Sequence, residues 1–171
     1  VGPYRLPDMS RADSNIDFMQ NPTPEKEEIV RKLVRQAIAR GVPPELAVAV
    51  ALQETDRFDS TAESSAGAQG LMQIKPGAFG DMQKRLGREE IPLEQRANIL
   101  NPDDNIEAGV EYLKLIQERD LNEYGGNPDD IDAFRRQSIM YNRGPWHDLR
   151  GNLPALQAGG ARTEELKEAR P

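Results

Sequence analysis

The sequence has no cysteine and a single histidine, His147, among its 171 residues. The absence of cysteine excludes a disulfide framework, a thiol nucleophile and a zinc site built from cysteine and histidine. A serine–histidine–aspartate triad would have to use His147, which lies in a turn rich in glycine, proline and tryptophan, so we do not favour one. Any catalysis must therefore come from carboxylates, and we expect neither a metal nor a cofactor.

Long apolar runs and an excess of positive charge are also missing. No stretch approaches the roughly 18 consecutive apolar residues that would suggest a membrane span. The formal net charge of −7 argues against a nucleic-acid partner, because phosphates attract clusters of lysine and arginine. A neutral polymer such as a glycan is not excluded.

Helical periodicity dominates the middle of the chain. Helix-capping residues, prolines at first positions and apolar spacings of three and four residues predict five helices. They run from about Pro24 to Gly41, Pro44 to Asp56, Pro76 to Gly87, Asn101 to Gly125 and Asn127 to Tyr141. We expect a mainly α domain over residues 23–150, with at most a short irregular β or loop region around residues 59–74. Residues 1–22 are predicted to be an N-terminal arm and residues 151–171 a C-terminal extension.

The second predicted helix ends on an acid. Leu46 to Leu52 are apolar on every side, which is the pattern of a helix buried all round, and Glu54 follows. Burial disfavours the charged form of a carboxyl group, and a general acid at neutral pH needs that effect. The same pattern also fits a glutamate that simply marks where the helix meets solvent.

Four sequence blocks occur in the order that one enzyme family shows. They are Leu52-Gln53-Glu54-Thr55, the run SSAGAQGLMQIKP from Ser64 to Pro76, the run NPDDNIEAGVEYL from Asn101 to Leu113, and Tyr141-Asn142-Arg143-Gly144-Pro145. Together they resemble the soluble lytic transglycosylase domain, a lysozyme-like family that cleaves peptidoglycan. A lone Gly-Leu-Met-Gln would be a weak signal, whereas four blocks in order between residues 42 and 146 are a strong one.

The resemblance implies a lysozyme-like helical fold and a peptidoglycan lytic transglycosylase with Glu54 as its single catalytic residue. Glu54 would protonate the oxygen between N-acetylmuramic acid and N-acetylglucosamine, then take the proton of the C6 hydroxyl, so that a 1,6-anhydro end forms. The family motifs mark no second carboxylate, although Asp56, Asp59 and Glu63 lie nearby. The implied substrate-binding residues are Ser64, Met72, Gln73, Tyr141 and Asn142.

Each of these binding residues also has a structural interpretation. Tyr141 and Met72 fit core positions, Ser64 and Gln73 fit braces within a loop, and Asn142 fits a brace of the turn at Tyr141. Three residues depart from the family pattern: Thr55 replaces a usual serine, Lys75 occupies a position that is often apolar, and Met140 replaces the usual alanine before Tyr141. The spacing from Glu54 to Ser64 is also one residue longer than is common in the family.

The expected partner is a peptidoglycan glycan strand, met in the bacterial cell envelope or periplasm, or by a phage virion acting on the cell wall. Two alternatives stand beside the transglycosylase. One is a goose-type lysozyme-like hydrolase of the same fold, which admits water. The other is a weakly active, wall-binding component of a larger virion or secretion assembly.

Overall fold

The computed structural model describes residues 23–55, 58–91, 97–124 and 131–143. Five helices lie within these ranges: α1 (Pro24–Arg40), α2 (Pro44–Glu54), α3 (Pro76–Arg85), α4 (Pro102–Tyr124) and α5 (Ile131–Arg143). β structure among these residues is limited to isolated bridges that pair Gln69 with Glu63 and with Ile74. The prediction of a mainly α domain with a short irregular β or loop region is therefore confirmed.

Several predictions lie outside the described residues. They concern the N-terminal arm, Asp56, the helix start at Asn127, the turn at His147 and the C-terminal extension.

The helix boundaries follow from local capping chemistry. At the start of α1, the Thr23 hydroxyl accepts a hydrogen bond from the Lys26 amide at 3.3 Å, and Gly41 ends the helix in the left-handed conformation with φ 68°. Asn101 caps α4, because its Oδ1 accepts the Asp103 amide at 2.9 Å. These three ends agree with the predicted start and stop signals.

The long helix α4 is the centre of the domain. It packs against α1, α3 and α5, while α2 packs against α1 and α5. Four of the seven apolar residues from Leu46 to Leu52 are buried and the other three, Val48, Ala49 and Leu52, are partly buried, so α2 is less completely enclosed than the apolar run predicts. None of the described helices combines the length and the sustained apolar character that crossing a membrane requires.

A buried ion pair fixes α5 on α4. Asp120 and Arg136 are 0% and 4% exposed, and Arg136 Nε donates to Asp120 Oδ1 at 2.6 Å. Arg136 Nη2 and Gln137 Nε2 both donate to Asp120 Oδ2 at 3.2 Å. Because α5 also carries Tyr141, this cluster sets the position of Tyr141 relative to α4.

Candidate active site

A cleft of about 380 Å³ opens where α2 ends. Glu54, the last residue of α2, lines it and is partly buried. Gln73 comes from the loop before α3, Tyr112 comes from α4, and Tyr141 and Asn142 come from α5. Each of the four sequence blocks therefore contributes at least one side chain to the same cleft.

Thr55 fixes the end of the helix that carries Glu54. It is 2% exposed, and its backbone is extended, with φ −130° and ψ 145°. Its hydroxyl oxygen lies 3.2 Å from the Ala51 carbonyl oxygen and 3.1 Å from the Leu71 carbonyl oxygen. The extended conformation ends α2 at Glu54, two residues before the predicted end at Asp56, and the contact to Leu71 ties the helix end to the loop.

Two adjacent loop residues, Leu71 and Met72, form hydrogen bonds with side chains from three parts of the fold, and we call them the Leu71–Met72 anchor. Thr55 bonds the Leu71 carbonyl, as described above. The Tyr141 hydroxyl donates to the Met72 carbonyl at 2.6 Å, and the Met72 amide donates to Asn105 Oδ1 at 2.8 Å. The anchor therefore connects α2, α4 and α5 directly behind the wall of the cleft.

Both the amide oxygen and the amide nitrogen of the Asn105 side chain, on α4, form hydrogen bonds here. Asn105 is 1% exposed, and its Nδ2 donates to the carbonyls of Gln69 at 3.0 Å and Ile99 at 2.7 Å. The Asn105 side chain also fills the space beside Gly70, where an added Cβ would lie only 2.8 Å from Asn105 Cγ. Gly70 has a φ of +76°, which also favours glycine at this position. No role was predicted for Asn105 from the sequence, although the residue lies within the third block.

Tyr141 is buried behind the cleft with its hydroxyl satisfied. Burial raises the pKa of Tyr141 well above its ordinary value, and the charge of Glu54 and the neighbouring Tyr112 raise it further. Glu54 and Tyr141 are therefore close enough to interact electrostatically. Since the hydroxyl proton is donated to Met72, the hydrogen bond supports the core interpretation of Tyr141, while the ring still lines the cleft.

Gln73 and Asn142 line the cleft but use part of their amides to brace the backbone. Gln73 has a positive φ of 49°, and its Nε2 donates to the carbonyls of Ala62 at 3.1 Å and Gly70 at 2.9 Å. Asn142 Nδ2 donates to the Ser138 carbonyl one turn earlier in α5, at 3.2 Å. The amide oxygen of Gln73 forms no hydrogen bond with another described residue.

Ser64 and Met72 are not among the residues that line the cleft. The Ser64 hydroxyl accepts the Ala68 amide at 3.0 Å and so holds the turn of the loop together. The Met72 side chain is fully buried and lies against Gly109 of α4, where an added Cβ would be 2.8 Å from Met72 Cβ. Their surroundings therefore support the bracing and core interpretations of these two residues.

Tyr112 of α4 is a cleft residue that was not predicted as a site residue from the sequence. Its ring packs edge to face on Tyr141, with centroids 5.3 Å apart, and burial raises its pKa. Its hydroxyl forms no hydrogen bond with another residue of the described chain. Its place in the Tyr-Leu pair of the third block was the signal that could have identified it.

Glu54 is the one carboxylate among the described residues that line the cleft. Asp59 is exposed, and bonds from the hydroxyl and amide of Thr61, at 2.7 and 2.9 Å, lower its pKa, so it is a poor proton donor. Glu63 is exposed and also lies outside the lining. Within the described ranges no group of three acidic or histidine side chains could hold a metal ion.

A larger groove of about 780 Å³ lies beside α3, between Phe79 and Ile99. Of the four blocks, only the second reaches it, through Pro76, the first residue of α3. Its size therefore does not make it the better candidate, because the side chains of the four blocks converge on the smaller cleft.

Comparison with known proteins supports the family that the blocks suggested. The chain is 36% identical over 121 residues to membrane-bound lytic murein transglycosylase C of Mannheimia succiniciproducens, and 35% identical to the Yersinia pestis protein of the same name. Each alignment covers 69% of this chain and 32% of the relative, so the chain spans about a third of the length of the curated relatives it matches.

A solved structure of an inactive mutant of the lytic transglycosylase Slt from Pseudomonas aeruginosa also matches, with 24% identity and a TM-score of 0.45. That match covers 77% of this chain and 24% of the other. The family model described as the transglycosylase SLT domain matches residues 33–150, which is more than half of the chain. The chain therefore belongs to the transglycosylase SLT domain family.

Proposed function

We propose that this domain is a peptidoglycan lytic transglycosylase that cleaves the MurNAc-β-1,4-GlcNAc bond and leaves 1,6-anhydro ends, with Glu54 as general acid and base. The observation that carries the proposal is the position of Glu54 as the one carboxylate among the described residues lining a cleft to which all four family blocks contribute. The names of the relatives, lytic murein transglycosylase C, support the same reaction class.

One carboxyl group is enough for this reaction because its proton is returned. Glu54 gives its proton to the glycosidic oxygen while the bond from that oxygen to the anomeric carbon of muramic acid breaks, assisted by the acetamido oxygen of the same sugar. The resulting carboxylate takes the proton of the C6 hydroxyl as its oxygen bonds the anomeric carbon. Glu54 ends protonated and no water is consumed, whereas most glycosidases need two carboxylates.

The neighbouring side chains divide into two groups in this proposal. Thr55, Asn105 and Tyr141 hold the Leu71–Met72 anchor and so fix the loop that precedes Gln73 in the cleft wall. Gln73, Asn142 and Tyr112 line the cleft and offer amide and hydroxyl groups to the N-acetyl and hydroxyl groups of the sugars. Ser64 and Met72 do not contact the sugar in this proposal: Ser64 holds the turn of the loop, and Met72 packs in the core.

Digestion of purified peptidoglycan tests the proposal. We expect mass spectrometry of the products to show anhydromuramic ends, lighter by one water than reducing ends. The Glu54→Gln variant should fold, as checked by circular dichroism, and release no product. Reducing ends would indicate the goose-type hydrolase instead, and full turnover by the Glu54→Gln variant would remove Glu54 from the mechanism.

The substrate places the proposed activity at the bacterial cell wall. The relatives are named membrane-bound, which supports action in the cell envelope or periplasm. We further propose that a phage virion or a secretion assembly could carry the domain to the cell wall, as an alternative to a resident enzyme of the envelope. Cross-linking of the full chain in its native particle or envelope fraction, followed by identification of its neighbours, distinguishes these settings.

A further inference from the structure

Two described lysines form no bond with another described residue. Lys26, Lys32 and Lys114 each bond a protein oxygen, namely a carbonyl, a carboxylate and an amide oxygen. The ammonium groups of Lys75 and Lys84 have no such contact, and both residues are exposed. They lie close together in the sequence, Lys75 directly before α3 and Lys84 in its last turn.

Lys75, but not Lys84, lines the cleft of Glu54. Its backbone is fixed because its carbonyl accepts the Phe79 amide at 2.9 Å at the start of α3. The rest of the cleft lining is uncharged apart from Glu54, and much of it is alanine and isoleucine. Among the described lining residues, Lys75 is thus the only cation, and protein contacts leave its ammonium group available to a ligand.

We propose that Lys75 binds a carboxylate carried by the glycan strand and makes the cleft selective for strands that carry one. This inference rests on the proposed function, because it names a substrate feature that the same site recognises. Peptidoglycan has two sources of this group: the carboxylates of the peptide stems, and the lactyl carboxylate of muramic acid that is free when the peptide is absent. Chitin has the same N-acetylated backbone and neither carboxylate.

The position of Lys75 favours this role over that of a solvated surface lysine. A net charge of −7 weakly opposes any anionic ligand, but salt screens distant charges beyond about 8–10 Å, so the nearest charges decide. Among the described residues that line the cleft these are Glu54, which is neutral when it acts as an acid, and Lys75. Of these two side chains, only Lys75 keeps the same charge throughout the proposed reaction.

Binding measurements with the full chain test the proposal. We would use the Glu54→Gln background to prevent turnover and three probes: peptide-bearing glycan fragments, the same fragments stripped by an amidase, and chitohexaose. Lys75→Met should weaken binding of at least one carboxylate-bearing probe about two- to fivefold, as expected for loss of one exposed ion pair. It should leave chitohexaose binding unchanged, and Lys75→Arg should retain the affinity.

Lys84→Met is the matched control, because it removes the same charge from the same region outside the cleft. A loss confined to peptide-bearing fragments assigns the stem carboxylate, and a loss confined to stripped fragments assigns the lactyl carboxylate. Equal losses for chitohexaose, no loss for any probe, or an equal loss with Lys84→Met would overturn the proposal. Carboxylate selectivity without anhydro products would retain the Lys75 assignment and contradict the proposed function instead.

Discussion

At the scale of single residues, the Thr55 hydroxyl ties the end of α2, which carries the proposed catalytic Glu54, to the loop before α3. The hydroxyl bonds the buried Leu71 carbonyl. We expect Thr55→Val, which keeps the shape, to cost about 1–3 kcal/mol of unfolding free energy, because a buried carbonyl loses its partner. Urea unfolding and peptidoglycan turnover should both decline. Thr55→Ser should preserve both, and an equally large loss with serine would contradict the hydroxyl's role.

The two cleft tyrosines should respond differently to removal of their hydroxyl groups. The Tyr141 hydroxyl is bonded to Met72, so Tyr141→Phe should lower the unfolding free energy by about 1–3 kcal/mol. The Tyr112 hydroxyl has no bond to a described residue, so Tyr112→Phe should change stability by less than about 0.5 kcal/mol while it reduces turnover. Urea unfolding and product release separate the two effects. Unchanged turnover with Tyr112→Phe would exclude Tyr112 from substrate binding.

The roles of Met72 and Ser64 could not be decided from the sequence. Both lie inside the second block, and a motif marks a residue without saying whether its side chain faces the ligand or the core. Met72 faces α4 because Gly109 leaves a space there, and that contact joins residues 37 positions apart in the chain. Only the folded structure brings them together.

At the scale of helices, the close approach of the loop to α4 depends on Gly109. A methyl group there would lie 2.8 Å from Met72 Cβ, so we expect Gly109→Ala to destabilise the domain by about 1–3 kcal/mol and to displace the anchor. Gly80→Ala is the matched control, since Gly80 is exposed in α3 with open space around it and should gain about 0.5–1 kcal/mol. Thermal unfolding of both variants, with turnover assays, measures the difference. A stabilised Gly109→Ala variant would contradict the packing described above.

The docking of α5 on α4 should depend strongly on Asp120. Asp120→Ala removes the buried carboxylate that accepts hydrogen bonds from Arg136, and breaking a buried pair costs about 3–5 kcal/mol. The comparable exposed pair, Glu27 with Arg31, should contribute only about 0–1 kcal/mol, so Glu27→Ala is the control. Urea unfolding of the two variants gives the comparison. A loss below about 1 kcal/mol with Asp120→Ala would show that α5 is held by other contacts.

Helix starts were the most predictable elements, because their signals are local. Thr23 with Pro24, and Asn101 with Pro102, each place a capping side chain directly before a first-turn proline. The predicted end of α2 lies two residues after the observed one, because the sequence has no glycine or proline at Asp56 to mark the end. The contact that holds Thr55 in an extended conformation is its hydrogen bond to the Leu71 carbonyl. That contact spans 16 residues and has no local signature.

At the scale of the whole molecule, alkaline pH should weaken the fold through Tyr141. Its pKa is raised in the folded state, so the folded protein keeps a proton that an unfolded tyrosine loses above about pH 10. The contribution of Tyr141 to the free energy of unfolding should be fully present below that pH and decline as the pH rises towards the pKa of Tyr141 in the folded state. Urea unfolding between about pH 8 and pH 11 should show a shallower decline for Tyr141→Phe. Parallel curves for wild type and variant would contradict this linkage.

The location of the cleft was more predictable than its chemistry. The four blocks identified Glu54, Gln73, Tyr141 and Asn142, and the structure brings all four to one cleft. The blocks did not distinguish Tyr112 from the apolar residues that share its helix stripe, because a tyrosine at helical spacing fits a core and a cleft equally well. Tyr112 is partly exposed and its ring packs on Tyr141 of α5, a contact between distant parts of the chain that the sequence does not reveal.

The Leu71–Met72 anchor has a consequence for how such a domain can diversify. The wall is secured from its inner side by the contacts of Thr55, Asn105 and Tyr141. Lys75 and Tyr112 line the cleft without a side-chain hydrogen bond or ion pair to another described residue. Exchanging these two outward groups, one at a time, should therefore change the preference for sugars or their substituents at little cost in stability.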